Sequence, residues 1–212
     1  MRLAAWILSC LPLAAAAADA FPDPAVDATR APAKKKAVAV FAGGCFWCTE
    51  VVFENLAGVD KVVSGYSGGK ASDAVYKVVS EGKTEHAEAI EITYDASKIT
   101  FGQLLKVFFS VAHDPTTLNR QGPDWGKQYR SAVFYADAEQ QKIVEAYIDQ
   151  LNKAKVFRDP IVTQVVPLQK FYPAEDYHQD FVRNNPSHRY VVVNALPKVA
   201  KLKKLYPEWT RK

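Results

Sequence analysis

The sequence has few of the residues that build disulfide frameworks or metal centres. Only three cysteines occur among 212 residues, and one of them, Cys10, lies in an apolar N-terminal segment. The other two, Cys45 and Cys48, are too few for a disulfide framework. A structural zinc site needs about four ligands, and the four histidines lack ligand spacing. We therefore expect no bound metal.

Strong charge and nucleotide-binding motifs are also missing. The net charge is only +4, which argues against a nucleic-acid-binding protein, because such a protein needs a concentrated basic face. The chain has no Gly-x-Gly-x-x-Gly and no phosphate loop, so no bound nucleotide or flavin cofactor is expected. What is present is a globular composition, with 49% apolar and 24% charged residues. This composition favours one folded domain with extensions.

Residues 1–20 have the features of a secretory signal peptide. Arg2 supplies a positive charge, an uncharged apolar run extends from Leu3 to Ala18, and Ala18-Asp19-Ala20 offers a small-x-small cleavage site. The run is short for a membrane span, which needs about 20 residues. The alternatives are an uncleaved anchor and a lipoprotein modified at Cys10. We expect a secreted or periplasmic protein that leaves the membrane after cleavage.

The remaining chain divides into an arm and a domain. Residues 21–36 contain three prolines and end in a run of three lysines, which predicts an extended linker or a disordered arm. Residues 37–212 form the domain with its basic C-terminal tail. The tail cations are expected to be solvated. In the alternative interpretation, a secreted binding protein contacts anionic surfaces through Lys198, Lys201, Lys203, Lys204, Arg211 and Lys212.

Apolar periodicity predicts alternating strands and helices. The strands at residues 87–94 and 129–135 alternate in polarity and are expected to be half exposed. Thr100 and Gln103 form a capping box, while Asp137 and Asp73 are further candidate helix caps. We predict an α/β fold of two layers (α+β), a single domain with a mixed central β-sheet flanked by helices and long functional loops. Its other strands are predicted at 37–42, 61–66 and 161–166, its long loop at 116–128, and its last helix at 197–205.

Cys45 and Cys48 lie where the first apolar strand turns into a helix. Gly43 and Gly44 allow the backbone to turn sharply there. The unpaired N–H groups and the positive dipole end of a helix start favour an anion, so we expect a stabilised Cys45 thiolate that acts as a nucleophile. Cys48 lies one turn later, within reach for a disulfide. The alternative is that both are small buried apolar residues.

Two further features of the sequence fit such a site. Phe46 and Trp47 could form an apolar wall for a small group such as a methyl, although core packing is the alternative. Strand alternation places Glu88 on one face with Ile90 and Ile92. Burial there would raise its pKa and make it a proton donor near neutral pH. The alternative is an edge-strand glutamate that reaches water.

The ordered set of motifs resembles the peptide methionine sulfoxide reductase A (MsrA) family over roughly residues 37–186. The resemblance implies reduction of the S epimer of methionine sulfoxide, free or in proteins. It implies that Cys45 attacks the sulfoxide sulfur and that Glu88 protonates the oxygen. The motifs are Gly44–Cys48, Gly65–Gly69, His86-Ala87-Glu88, His113–Thr116, Asp124–Ser131 and Asp176–Gln179.

The resemblance also assigns the supporting residues. Tyr76 and Tyr129 would donate hydrogen bonds to the sulfoxide oxygen, Phe46 and Trp47 would hold the methyl group, and Asp124 would orient the substrate. The Cys45 sulfenic acid would be resolved by Cys48, and an external thioredoxin-like dithiol would reduce the resulting disulfide. The implied protein is a monomer that repairs oxidised methionine.

This chain departs from the family pattern at Cys48. Many members have glycine at this position and keep resolving cysteines in the C-terminal tail, whereas no cysteine follows Cys48 here. Cys48 is thus the only internal candidate for resolution. The Cys-x-x-Cys spacing also permits a thiol–disulfide oxidoreductase of the thioredoxin type. The motifs outside the cysteine pair have no thioredoxin counterpart, which favours the reductase.

Overall fold

A computed structural model describes residues 21–211 of the chain. The predicted signal peptide, residues 1–20, lies outside the described residues. Within residues 21–211, no helix combines the length and the apolar character needed to cross a membrane.

A curled six-stranded sheet forms the centre of the fold. Its order is β7-β6-β1-β3-β2-β8, and every neighbouring pair is antiparallel except β6 and β7, which are parallel. The predicted mixed sheet is therefore confirmed. A separate two-stranded hairpin, β4-β5, lies in the long loop. The strands are β1 (Lys36–Gly43), β2 (Val59–Ser67), β3 (Ala87–Asp95), β4 (Arg120–Gln121), β5 (Asp124–Trp125), β6 (Ser131–Tyr135), β7 (Gln164–Pro167) and β8 (Phe171–Pro173).

Helices flank this sheet, as predicted. The Thr100–Gln103 capping box is present, and Asp137 caps the longest helix by accepting from the Gln140 amide. The predicted cap at Asp73 is wrong, because Asp73 lies in a preceding 3₁₀ turn and Val75 precedes the short helix. The helices are α1 (Phe46–Glu54), α2 (Tyr76–Val79), α3 (Phe101–Val107), α4 (Ala138–Lys153), α5 (Phe181–Asn184) and α6 (Leu196–Leu205).

The expected half-exposure of two strands is wrong. Seven of the nine residues of β3 and four of the five residues of β6 are buried. Large apolar side chains such as Phe41, Ile90 and Val133 form the main core on one side of the sheet. Small residues such as Ala89 form a second core that Leu168 and Phe171 help to cover. Both faces of the sheet are therefore apolar, although large and small side chains alternate along these strands.

The segment before β1 is extended and is held against the domain. Asp27 accepts hydrogen bonds from the Thr100 hydroxyl and from the Gly102 amide, at 2.5 and 2.7 Å. Lys106 pairs with Asp23 at 2.7 Å. These contacts join the segment to both ends of α3, so the segment packs as part of the folded unit and is not a free arm.

Candidate active site

Cys45 lies at the turn between the central strand β1 and helix α1. Gly44 has a φ of +86°, and an added Cβ there would lie 2.5 Å from the Gln121 side chain, so glycine is needed on both counts. Cys45 is the N-cap residue of α1, and its carbonyl accepts from the Cys48 amide at 3.1 Å. The structure thus places both cysteines on the first turn of α1, as the sequence predicts.

The two sulfurs lie side by side as free thiols in a buried position. Cys45 is 9% exposed and Cys48 is 2% exposed, and each thiol shifts the pKa of the other. Burial, assisted by Cys48 and Glu88, raises the pKa of Cys45 well above its usual value. The expected stabilised thiolate at Cys45 is therefore wrong for the substrate-free protein. Burial away from water outweighs the helix dipole.

The Cys45 thiol has the opposite effect on its neighbour. It lowers the pKa of Cys48, against the effect of burial, and the positive charge of Lys198 lowers it further. The Cys48 thiol also lies 4.0 Å from the Tyr190 hydroxyl. The surroundings of Cys48 therefore favour its thiolate more than water does.

Glu88 is buried on β3, as strand alternation predicts. Its side chain accepts a hydrogen bond of 3.0 Å from the Phe46 amide, which ties it to the first turn of α1. Burial raises the pKa of Glu88 to about 8. The carboxyl group is therefore protonated at neutral pH and can donate a proton beside Cys45.

Phe46 and Trp47 have different surroundings. Phe46 is fully buried in the main core, and its ring packs against Tyr66 and His178 with centroids 5.9 and 5.0 Å apart. Trp47 is half-buried and stacks almost parallel on Phe181 at 3.7 Å. Its indole N–H donates to His178 Nδ1 at 3.1 Å. Two contacts therefore fix the indole at the edge of the site.

The three remaining predicted residues converge on the same place. Tyr76 and Tyr129 are half-buried, and burial together with the charge of Glu88 raises the pKa of each hydroxyl. Both hydroxyls are therefore protonated hydrogen-bond donors. Asp124, on β5, accepts a hydrogen bond from the Tyr190 hydroxyl, and burial raises its pKa. The structure thus brings all eight predicted site residues together.

Sequence reasoning missed three residues of this site. Tyr190 connects Cys48 to Asp124, but it occurs in an apolar stretch that gives no sign of this role. His178 orients Trp47 by accepting its indole hydrogen bond, and the motif Asp176–Gln179 was the sequence feature that could have identified it. Lys198 was expected to be a solvated tail lysine. This expectation is wrong, because Lys198 is half-buried and donates to the Ala112 carbonyl at 2.6 Å.

The chemistry of the site is that of thiols and acids. Among residues 21–211, no group of three or more histidine, cysteine, aspartate or glutamate side chains is placed to hold a metal ion. The site offers a thiol pair, a protonated carboxyl and two phenol donors around an aromatic wall. Such an arrangement can transfer an oxygen atom to sulfur while supplying the proton it needs.

Comparison with known proteins matches most of the chain to one family. The family model for peptide methionine sulfoxide reductase matches residues 37–210. A Mesorhizobium japonicum protein named peptide methionine sulfoxide reductase MsrA 2 is 59% identical over 169 residues, covering 80% of this chain and 87% of its own. A Synechocystis protein of the same name is 53% identical, covering 88% of each chain.

Solved structures show the same likeness. Reduced Mxr1 from Saccharomyces cerevisiae has a TM-score of 0.67 and 34% identity, covering 76% of this chain and 91% of its own. Methionine sulfoxide reductase A of Corynebacterium diphtheriae has a TM-score of 0.64 and 34% identity, covering 72% and 76%. The chain therefore belongs to the peptide methionine sulfoxide reductase family and is an oxidoreductase.

Proposed function

We propose that this protein reduces the S epimer of methionine sulfoxide, free or in proteins, to methionine. One observation carries the proposal: a buried carboxyl with a pKa of about 8 lies against the helix turn that holds Cys45. A sulfoxide oxygen leaves sulfur only when its developing negative charge is neutralised. Glu88 is the group that can neutralise it. The names of the relatives support this substrate class.

The first step transfers oxygen from the substrate to Cys45. Glu88 gives its proton to the sulfoxide oxygen, and the ionised carboxylate then takes the proton that the Cys45 thiol loses. The Cys45 sulfur attacks, the oxygen moves to it, and methionine leaves with a sulfenic acid left on Cys45. The raised pKa of Cys45 keeps the thiol protonated until the substrate arrives. It also makes the thiolate more nucleophilic once it forms.

The surrounding side chains hold the substrate in this step. The hydroxyls of Tyr76 and Tyr129 donate hydrogen bonds to the oxygen as its charge develops. The rings of Phe46 and Trp47 receive the methyl group on the apolar side. Asp124 orients the rest of the methionine, and its own position is set by the Tyr190 hydroxyl.

The second step restores the enzyme. The Cys48 sulfur attacks the sulfenic sulfur of Cys45, and water leaves as the Cys45–Cys48 disulfide forms. The adjacent position of the two thiols on one helical turn supports this pairing. A thioredoxin-like dithiol then reduces the disulfide by exchange, so no bound cofactor is required.

Mass spectrometry of enzyme mixed with one equivalent of substrate tests this function. With methionine-S-sulfoxide we expect methionine, and enzyme that has lost two hydrogen atoms through a Cys45–Cys48 disulfide. The R epimer is the matched control and should leave the enzyme reduced. Reduction of both epimers at the same rate would overturn the epimer assignment. A lack of methionine with the S epimer would overturn the function.

We further propose that residues 1–20 direct export and are then removed. The supporting observation is the apolar run followed by Ala18-Asp19-Ala20. N-terminal sequencing of protein from the extracytoplasmic fraction should begin at Phe21. Recovery of an intact Met1 from membranes would show an anchor instead, and a lipid on Cys10 would show a lipoprotein.

A further inference from the structure

A cavity of about 370 Å³ reaches the two sulfurs from the side of α6 and the β4–β5 hairpin. Both cysteines line it, together with Tyr190, Lys198 and Lys201. Of the residues assigned to the sulfoxide, only Cys45 and Asp124 border this cavity; the aromatic wall, Glu88 and the two phenols do not. The thiol pair is therefore open to a space that most of the residues assigned to the sulfoxide do not line.

Lys198 is fixed at the wall of this cavity. Its ammonium group donates to the Ala112 carbonyl at 2.6 Å, and its stem is half-buried, so the charge cannot swing freely into water. The remaining titratable groups that act on Cys48 are Cys45, Tyr190, Asp124 and Glu88. All four are neutral or negative. Lys198 is therefore the positively charged group among those that act on Cys48. Its charge lowers the pKa of the Cys48 thiol.

We propose that this cavity admits the dithiol that reduces the Cys45–Cys48 disulfide, and that Lys198 attracts its thiolate and stabilises the Cys48 thiolate released at the end. The inference rests on the proposed function and adds the place and the electrostatics of its last step. The ligand class is a thiolate-bearing dithiol. Its source is either a small molecule or a protein cysteine pair, which the experiment separates.

The exchange proceeds in two balanced steps. One thiolate of the dithiol attacks the Cys48 sulfur, a new S–S bond forms, and the Cys45–Cys48 bond breaks with its electron pair on Cys45, which takes up a proton. The second thiolate then attacks its partner sulfur in the dithiol, and the bond to Cys48 breaks. Cys48 leaves as a thiolate beside Lys198. The dithiol is oxidised to a disulfide, its remaining proton passes to Cys45, and the enzyme is left with a Cys45 thiol and a Cys48 thiolate.

Rates of disulfide reduction in matched lysine variants test the proposal. Enzyme oxidised by one equivalent of methionine-S-sulfoxide is mixed with dithiothreitol or with a thioredoxin, and its free thiols are counted after acid quenching. Lys198→Gln should slow both reactions about three- to tenfold, because one charge near a thiol shifts its pKa by about one unit. Lys198→Arg should restore most of the rate. Lys203→Gln, on the exposed part of α6, is the control and should change nothing.

Three results would overturn the proposal. These are an unchanged rate in Lys198→Gln, an equal loss in Lys203→Gln, or a loss with thioredoxin alone, which would show a protein docking contact without an effect on the thiolate. A single turnover with methionine-S-sulfoxide should proceed normally in the control Lys203→Gln, whose exposed side chain lies outside the site. Failure of that turnover in the unmodified enzyme would instead contradict the proposed function, so the two failures are distinguishable.

A second measurement separates charge from structure. In a Cys45→Ser background, the rate of Cys48 alkylation is followed against pH with and without Lys198→Gln. The midpoint should rise by about one unit when the charge is removed, since a nearby cation favours the thiolate. A midpoint that stays in place would overturn the electrostatic role, even if exchange is slower.

Discussion

The Phe46 backbone amide donates a hydrogen bond of 3.0 Å to the Glu88 carboxyl group. Phe46 is the residue next to Cys45, so this bond joins the turn that holds the thiol to the strand that holds the acid. A free N–H at the start of a helix usually finds a capping side chain nearby in sequence. Here its acceptor is 42 residues away. The distance between acid and thiol is thereby set by backbone structure on both sides.

Replacement of Glu88 by glutamine should slow the first step. Glutamine can still accept the Phe46 hydrogen bond but has no transferable proton. We expect the single-turnover rate of methionine formation to fall about 100-fold or more, the usual contribution of general acid catalysis. Glu91→Gln, on the same strand but only half-buried, is the control and should retain its rate. A Glu88→Gln enzyme of normal rate would contradict the assignment.

The pH dependence of the same step should follow Glu88. Its pKa is raised from 4.5 to about 8, so the acid form persists through neutral pH and is lost as pH rises through about 8. The single-turnover rate attributable to the acid should therefore decline on the alkaline side of that value. Stopped-flow measurements from pH 6 to 9 would show the decline, and the residual rate of Glu88→Gln should lack it. A rate that rises throughout this interval would be incompatible with an acid role.

Replacement of Cys48 by serine should separate reduction from recycling. Serine cannot form the disulfide, so the sulfenic acid persists on Cys45 after one turnover. We expect about one methionine per enzyme and loss of thioredoxin-driven cycling. The measurement is methionine released with and without a thioredoxin system. Normal cycling in Cys48→Ser would show that Cys48 is not the resolving residue.

The sequence predicted those parts of the site that depend on local pattern. Alternation along residues 87–94 was enough to place Glu88 with Ile90 on an apolar face, because the side-chain direction of a strand reverses at every residue. The glycines before Cys45 likewise predicted the sharp turn. The cap at Thr100 was also predictable, because capping chemistry is contained within four residues.

The rest of the site depends on contacts between distant segments. Lys198 resembles its exposed neighbours in sequence, and only the packing of α6 beside residues 108–112 turns it inward. The state of the Cys45 thiol was predicted from the helix start alone. Burial and the proximity of Glu88 reverse that prediction, and neither is visible in the local sequence.

The segment before β1 should contribute measurably to stability through Asp27. Its carboxylate accepts from Thr100, the N-cap of α3, and from the Gly102 amide in the first turn. Asp27→Ala removes an anion from the positive end of the helix and two hydrogen bonds. Because Asp27 is exposed, we expect a loss of about 1 kcal/mol in the free energy of unfolding. Urea unfolding measures this, and Asp73→Ala, a half-buried aspartate outside this contact, is the comparison.

Glu50 should make the folded protein less stable in alkaline solution. It is 2% exposed on α1, and burial raises its pKa from 4.5 to about 8. The folded protein holds this proton more tightly than the unfolded chain does. The contribution of the group to stability is therefore lost as pH rises from about 4.5 to about 8.

Glu50→Gln removes this titration and preserves the shape of the side chain. The free energy of unfolding should exceed that of the unmodified protein by about 4 kcal/mol at pH 9 and differ little at pH 5. Denaturant unfolding at both pH values gives the comparison, and Glu91→Gln is a half-buried control on β3. The difference between the two pH values is the decisive quantity, because any packing defect of glutamine would shift both equally. A difference that is the same at pH 5 and pH 9 would mean that Glu50 is not protonated in the fold.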